Sequence, residues 1–115
     1  MEHGVSAMDD GIMILVTASG PEEADRIASG LLEKRLVACA NRVPGVSSRF
    51  WWNGSLDRAE ECLLIMKSVR RLFESIRREV RAAHSYDVPE IIALPILEGD
   101  ETYLSWIRDV VAPRA

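Results

Sequence analysis

Apolar positions near the start of the chain predict a strand followed by a helix. The run from Ile12 to Thr17 is almost wholly apolar and too short for a helix, so it predicts a strand buried on both faces. Pro21 suits the first helical turn that follows. Apolar residues then recur three and four positions apart, which predicts one buried helix face: Ala24, Ile27, Ala28, Leu31 and Leu32. Gly30 within that helix indicates close approach to a sheet.

The middle of the chain predicts a long β-hairpin from Leu36 to Ser68. Asn53-Gly54 favours a two-residue turn, because both residues tolerate positive φ. Val43-Pro44-Gly45 interrupts the first arm and predicts a bulge or bend. Each arm has about fifteen residues, or roughly 50 Å, whereas a domain of this size has a radius of gyration of about 13 Å. The hairpin should therefore project beyond its own domain unless it bends sharply.

The rest of the chain repeats the order of helix and strand. A second helical stripe is followed by a strand over Val88 to Leu97 and by a last helix after Gly99-Asp100. This order predicts an α+β fold, a ferredoxin-like βαββαβ sandwich with a long central hairpin and an extra C-terminal helix. Residues 1–10 are interpreted as a disordered leader, and residues 11–112 as a single domain.

Three aromatic residues near the hairpin tip favour an oligomer. Alternation along a strand places Phe50 and Trp52 on one face and Trp51 on the other. A projecting ribbon with aromatic side chains on both faces would be an exposed apolar patch unless a neighbouring subunit covered it. The alternative is that the arms bend and these side chains complete the core of their own protomer.

Composition excludes several classes of function. The 115 residues carry 18 acidic and 14 basic side chains, and this net charge of −4 argues against nucleic-acid binding. The sequence contains no run of eighteen apolar residues, so no membrane span is predicted. Two cysteines, Cys39 and Cys62, cannot form a disulfide framework, which favours the cytoplasm. Neither a catalytic motif nor a glycine-rich phosphate loop is visible, so neither an enzyme nor an organic cofactor is expected.

Five segments, in order and at matching separations, resemble the CutA family of divalent-cation tolerance proteins. They are residues 33–41 (EKRLVACAN), 48–54 (SRFWWNG), 61–68 (ECLLIMKS), 84–92 (HSYDVPEII) and 99–107 (GDETYLSWI). The resemblance implies a ferredoxin-like protomer in a homotrimer whose hairpins reach neighbouring subunits, with an architecture similar to that of the PII signalling proteins. It also implies a cytoplasmic protein linked to copper and other divalent ions.

The resemblance also implies a set of site residues. Cys39 and His84 are predicted as ligands of Cu(II) or another divalent ion, since copper favours thiolate and imidazole. Five further residues are predicted to line the intersubunit cleft: Trp52, Glu61, Lys67, Tyr86 and Glu90. Ser85 stands where the family commonly has proline, which implies a looser backbone beside His84. Purely structural roles are the alternative for these residues. Cys39 would then be a buried thiol, His84 would cap a helix, and Glu61 and Lys67 would form an ion pair.

Two functions follow from these residues. The first is a homotrimeric protein that binds divalent metal, with copper as the expected ion, and confers tolerance without catalysis. The second is a PII-like trimeric signalling or adaptor protein that binds a small effector in its intersubunit clefts.

Overall fold

The computed structural model describes residues 7–113, in which four strands and three α-helices follow the predicted order. The elements are β1 (Gly11–Ala18), α1 (Pro21–Glu33), β2 (Cys39–Trp52), β3 (Ser55–Val69), α2 (Phe73–Ala83), β4 (Ile91–Pro95) and α3 (Glu101–Val110). The strands form one antiparallel sheet in the order β2-β3-β1-β4. The ferredoxin-like α+β fold and the additional C-terminal helix are therefore confirmed.

The side chains of the central strand β1 alternate between a well-packed face of the sheet and a half-open one. Its even-numbered side chains, Ile12, Ile14, Val16 and Ala18, are buried in the core. The buried faces of α1 and α2 join the same core through Ile27, Leu31, Ile76 and Val80. The odd-numbered residues of β1 are only partly buried in the protomer. The prediction of a strand buried on both faces is thus wrong for the single chain, because the helices α1 and α2 supply core residues to one face.

The hairpin formed by β2 and β3 projects as its length predicts. Asn53 and Gly54 have φ values of 49° and 81°, as a type I′ turn requires. The predicted bulge is confirmed, because the β2–β3 register shifts between Val43 and Val46, where Gly45 has φ 71°. The protomer measures 50 × 26 × 22 Å. The tip aromatics are exposed, with Trp51 at 71%, so the alternative in which they complete their own core is wrong.

Two local predictions differ from the structure. The last strand covers only Ile91–Pro95, which pair with Ile12–Val16 of β1. Before it, the Thr17 carbonyl bonds the His84 ring and Glu23 bonds the Ser85 N–H, and these hydrogen bonds hold the chain after α2 in a loop. Gly30 does not mark a close approach, since a Cβ added there would meet nothing within 4 Å beyond its neighbours in the helix. Its cost in helix propensity, about 1 kcal/mol relative to Ala, therefore has no packing reason in the protomer.

Both ends of the described chain are held near α2. The Arg71 guanidinium donates to Asp9 Oδ1 at 3.1 Å and to the Ala112 carbonyl at 2.7 Å. Within the predicted leader, Ala7–Asp9 forms a 3-10 helix, and residues 1–6 lie outside the described residues. No helix found between residues 7 and 113 is long and apolar enough to cross a membrane.

Candidate functional site

The half-open face of the sheet is mostly apolar. Residues directly opposite one another in a ladder share a face, so the register places one set of side chains together: Met13, Leu15, Leu63, Ile65, Ile92 and Leu94. Ile92 and Leu94 are 48% and 39% exposed. At one end of this face α3 brings Tyr103 against Cys39. The remainder is an apolar surface that the protomer leaves partly open to solvent.

A cavity of about 790 Å³ lies where the hairpin leaves the four-stranded sheet. The outer hairpin arms form one wall, and the loop between α2 and β4 forms the other. Four of the predicted cleft residues line it: Trp52, Glu61, Tyr86 and Glu90. The structure therefore brings together four residues that are spread over 39 positions of sequence.

The polar centre of the cavity is a hydrogen bond between Tyr86 and Glu61. The Tyr86 hydroxyl donates to Glu61 Oε2 at 2.7 Å, and Glu61 is only 8% exposed. Burial raises the pKa of Tyr86, and the adjacent Glu61 carboxylate raises it further. Burial and the Glu61 charge also raise the pKa of Glu90. The phenol therefore stays protonated and supplies a donor to a carboxylate that the fold has largely removed from water.

Lys67 is the predicted cleft residue that lies away from this cavity. It shares the face of Glu61, as their even spacing predicts, but six residues of β3 correspond to roughly 20 Å. The Lys67 ammonium instead donates to Asn41 Oδ1 at 2.8 Å. The alternative of a Glu61–Lys67 ion pair is thus wrong within the described protomer.

His84 is a buried side chain with both ring nitrogens engaged. Its Nε2 lies 2.7 Å from the Thr17 carbonyl, and its Nδ1 accepts from the Tyr86 N–H at 3.1 Å. Because a carbonyl only accepts and an amide N–H only donates, these partners assign the proton to Nε2. Metal binding by His84 stays a prediction, and it would require one of these hydrogen bonds to be exchanged for the metal.

Cys39 lies at the other end of the sheet from His84. Its Sγ is 3.6 Å from the Tyr103 hydroxyl, and this hydrogen bond, together with burial, raises the pKa of Tyr103. Cys39 is level with Met13 in the sheet register, whereas His84 contacts Thr17, about 13 Å further along β1. Among residues 7–113 no group of three or more His, Cys, Asp or Glu side chains is arranged to hold a metal ion.

Glu23 is a buried carboxylate beside the site that the sequence reasoning missed. Its Oε1 accepts from the Ser19 N–H at 2.8 Å, and its Oε2 accepts from the Ser85 N–H at 2.7 Å. Burial alone would raise the pKa of Glu23, but the Ser19 and Ser85 hydrogen bonds oppose it and lower the pKa to about 2. Its place at the third helical position, from which a glutamate reaches back to the residues before the helix, was the available signal.

Comparison with known proteins identifies the family. The family model described as CutA1 divalent ion tolerance protein matches residues 12–110. The chain belongs to the CutA1 family. The resemblance predicted from five sequence segments is thereby confirmed over almost the whole domain.

Individual relatives share the sequence and the fold. A divalent-cation tolerance protein CutA from Thermus thermophilus is 43% identical over 97 residues, which cover 84% of this chain and 94% of that protein. The protein of the same name from Archaeoglobus fulgidus is 46% identical over 98 residues, or 85% and 95% of the two chains. The crystal structure of CutA1 from Oryza sativa superposes with a TM-score of 0.89 at 38% identity, covering 95% of this chain and 100% of that one.

Proposed function

We propose that this chain assembles into a homotrimer that binds Cu(II) or another divalent ion between its subunits and contributes to metal tolerance without catalysis. The match of residues 12–110 to the CutA1 divalent ion tolerance family is the observation that carries the proposal. The ligand residues and the cytoplasmic location predicted from the sequence stay predictions.

Assembly is supported by apolar surface in two places. Trp51 and Leu56 are 71% and 67% exposed on the projecting hairpin, and the half-open sheet face adds a second patch. Burial of such apolar patches against another subunit removes them from water and stabilises the assembly. Light scattering on the purified chain should give about 39 kDa, three times 12.9 kDa.

A matched pair of variants tests the hairpin's part in that assembly. Trp51→Ser should lower the mass toward that of the protomer. Leu97→Ser, which changes an apolar side chain that is 88% exposed but lies outside the hairpin, should keep the wild-type mass. A wild-type mass of 12.9 kDa at micromolar concentration would contradict the trimer.

Metal binding between subunits is supported by the separation of the two predicted soft ligands. Cys39 and His84 lie roughly 13 Å apart along β1 in one protomer, so a site that uses both requires a second subunit. Titration calorimetry with Cu(II) should show at least a tenfold loss of affinity in Cys39→Ser and in His84→Ala. Cys62→Ala removes the other thiol and should bind as the wild type does, and its melting temperature controls for loosened packing. Wild-type affinity in both ligand variants would remove Cys39 and His84 from the site.

The cavity supports the second candidate, a PII-like trimeric sensor or adaptor. A volume of about 790 Å³ beside Trp52, which is 47% exposed, is within the size range of small-molecule sites. A thermal-shift screen of small metabolites distinguishes this function, because an effector that binds only the folded protein raises its melting temperature. Stabilisation by divalent ions alone would favour the first function.

A further inference from the structure

The loop that lines the cavity is anchored from behind by one carboxylate. Glu23 projects from the first turn of α1, with 5% of its surface exposed. Its two oxygens accept the backbone N–H groups of Ser19, before α1, and Ser85, after α2. One side chain therefore ties together two chain segments that are 66 residues apart in sequence.

The anchored loop reaches the cavity through His84 and Tyr86. The His84 ring is fully buried, where it joins the Thr17 carbonyl to the Tyr86 N–H. The Tyr86 ring packs on the His84 ring with centroids 4.6 Å apart, and its hydroxyl reaches Glu61. A continuous series of contacts thus runs from the helix α1 to the buried carboxylate of the cavity.

We propose that Glu23 is a positioning residue of the cavity, which holds the loop at Ser85 so that the Tyr86 hydroxyl stays on the Glu61 carboxylate. The proposal rests on the proposed function only in treating the cavity as a ligand site. Glu23 itself lies outside the cavity lining, so it acts through Tyr86. The carboxylate suits this task because it accepts two N–H groups at once, whereas a neutral amide has one acceptor oxygen.

Ser85 supplies the second donor of the anchor, its backbone N–H, at 2.7 Å from Glu23 Oε2. The backbone beside His84, which was expected to be loose, is therefore held by this hydrogen bond. A proline at this position would have no N–H to donate to Glu23. His84 has the extended backbone, φ −85° and ψ 144°, that a residue preceding proline prefers. Ser85→Pro therefore removes the donor while keeping a compatible backbone before it.

Tyrosine NMR tests the proposal directly, because the chain has only two tyrosines. In full-length protein with ¹³C-labelled tyrosine, Glu23→Gln and Ser85→Pro should shift or broaden the Tyr86 ring signal. Tyr103, which contacts Cys39 at the other end of the sheet, should stay unchanged. Glu22→Gln, at the exposed neighbouring glutamate, should leave Tyr86 as in the wild type. Ser85→Ala, which keeps the N–H and loses only the hydroxyl that also bonds Glu23, should move the Tyr86 signal less than Ser85→Pro does.

A third control separates positioning from general loosening. Val80→Ala removes buried volume from α2 without touching the anchor and should lower the melting temperature while leaving the Tyr86 signal in place. An unmoved Tyr86 signal in Ser85→Pro and in a folded Glu23→Gln, or an equal shift in Val80→Ala, would overturn the proposal. The NMR readout needs no metal, so a failure of Cu(II) binding in the wild type would count against the proposed function alone.

Discussion

The two halves of the central hairpin share a backbone ladder but differ in what surrounds them. In the inner half, Cys62 to Val69 of β3 pair with β1, Leu63 to Lys67 also pair with β2 on the other side, and alternate residues are fully buried. In the outer half, Ser55 to Glu61 pair with β2 alone. Leu64 is 1% exposed in the inner half, whereas Leu56 is 67% exposed in the outer half.

This difference shows that one hairpin depends on two sources of stability. The inner half is stabilised by the protomer's own core, into which the helices α1 and α2 direct apolar side chains. The outer half has only its backbone ladder and cross-strand pairs, and an isolated two-stranded ribbon is marginally stable in water. Under the proposed trimer, neighbouring subunits supply the burial that the outer half lacks.

The largest expected effect comes from two matched substitutions on β3. Leu64→Ala should lower the free energy of unfolding by roughly 2–5 kcal/mol, because it leaves a cavity in a packed core. Leu56→Ala should lower it by less than about 1 kcal/mol in the protomer, since most of that side chain is already in water. Guanidinium unfolding measured at low and high protein concentration separates protomer stability from assembly. Equal losses at low concentration would contradict the comparison.

A second prediction concerns low pH, which should destabilise the fold by protonating Glu23 behind the cavity. Because the pKa of Glu23 is lowered from 4.5 to about 2, its stabilising effect is complete above pH 4.5 and is lost as the pH falls toward 2. The contribution is on the order of 3 kcal/mol. Glu23→Gln should flatten the pH dependence of unfolding in this range, while Glu22→Gln should preserve it. Parallel curves for the wild type and Glu23→Gln would contradict the assignment.

The smallest effects come from glycines in the two regions, and they should have opposite signs. Gly54→Ala, at the hairpin tip, should cost about 1 kcal/mol because φ is 81° there. Gly30→Ala, in α1 over the core, should stabilise by up to about 1 kcal/mol, since an added Cβ meets no neighbouring group. Thermal unfolding measures both changes. A loss of stability in Gly30→Ala would indicate that another subunit approaches α1 closely.

Local signals in the sequence were sufficient for most of the fold. The Asn53-Gly54 turn, the bulge at Gly45 and the helical stripes each depend on neighbouring residues, whose φ preferences and spacing can be read directly. The end of the last strand was predicted less well. The extent of β4 depends on its pairing with β1 and on the contact of His84 with Thr17, and both are contacts between distant segments.

The candidate site was predicted in part for the same reason. Resemblance to the family selected Trp52, Glu61, Tyr86 and Glu90, which do meet at one cavity. It also grouped Lys67 with them, although the strand carries that ammonium roughly 20 Å away. Glu23 was missed although its third helical position indicates a bond back to Ser19, because the distant partner, the Ser85 N–H, is a backbone group that every residue except proline possesses.

By itself, the sequence determined the order of the elements, the length of the projecting hairpin and the family, because these depend on periodicity, turn chemistry and motifs that lie within short stretches of chain. Only the tertiary structure decided which face of the sheet is covered, which of the predicted residues share a cavity and how Glu23 holds the loop behind Tyr86. Those properties depend on hydrogen bonds and burial between segments that are distant in sequence, and folding brings such segments together through the whole core at once.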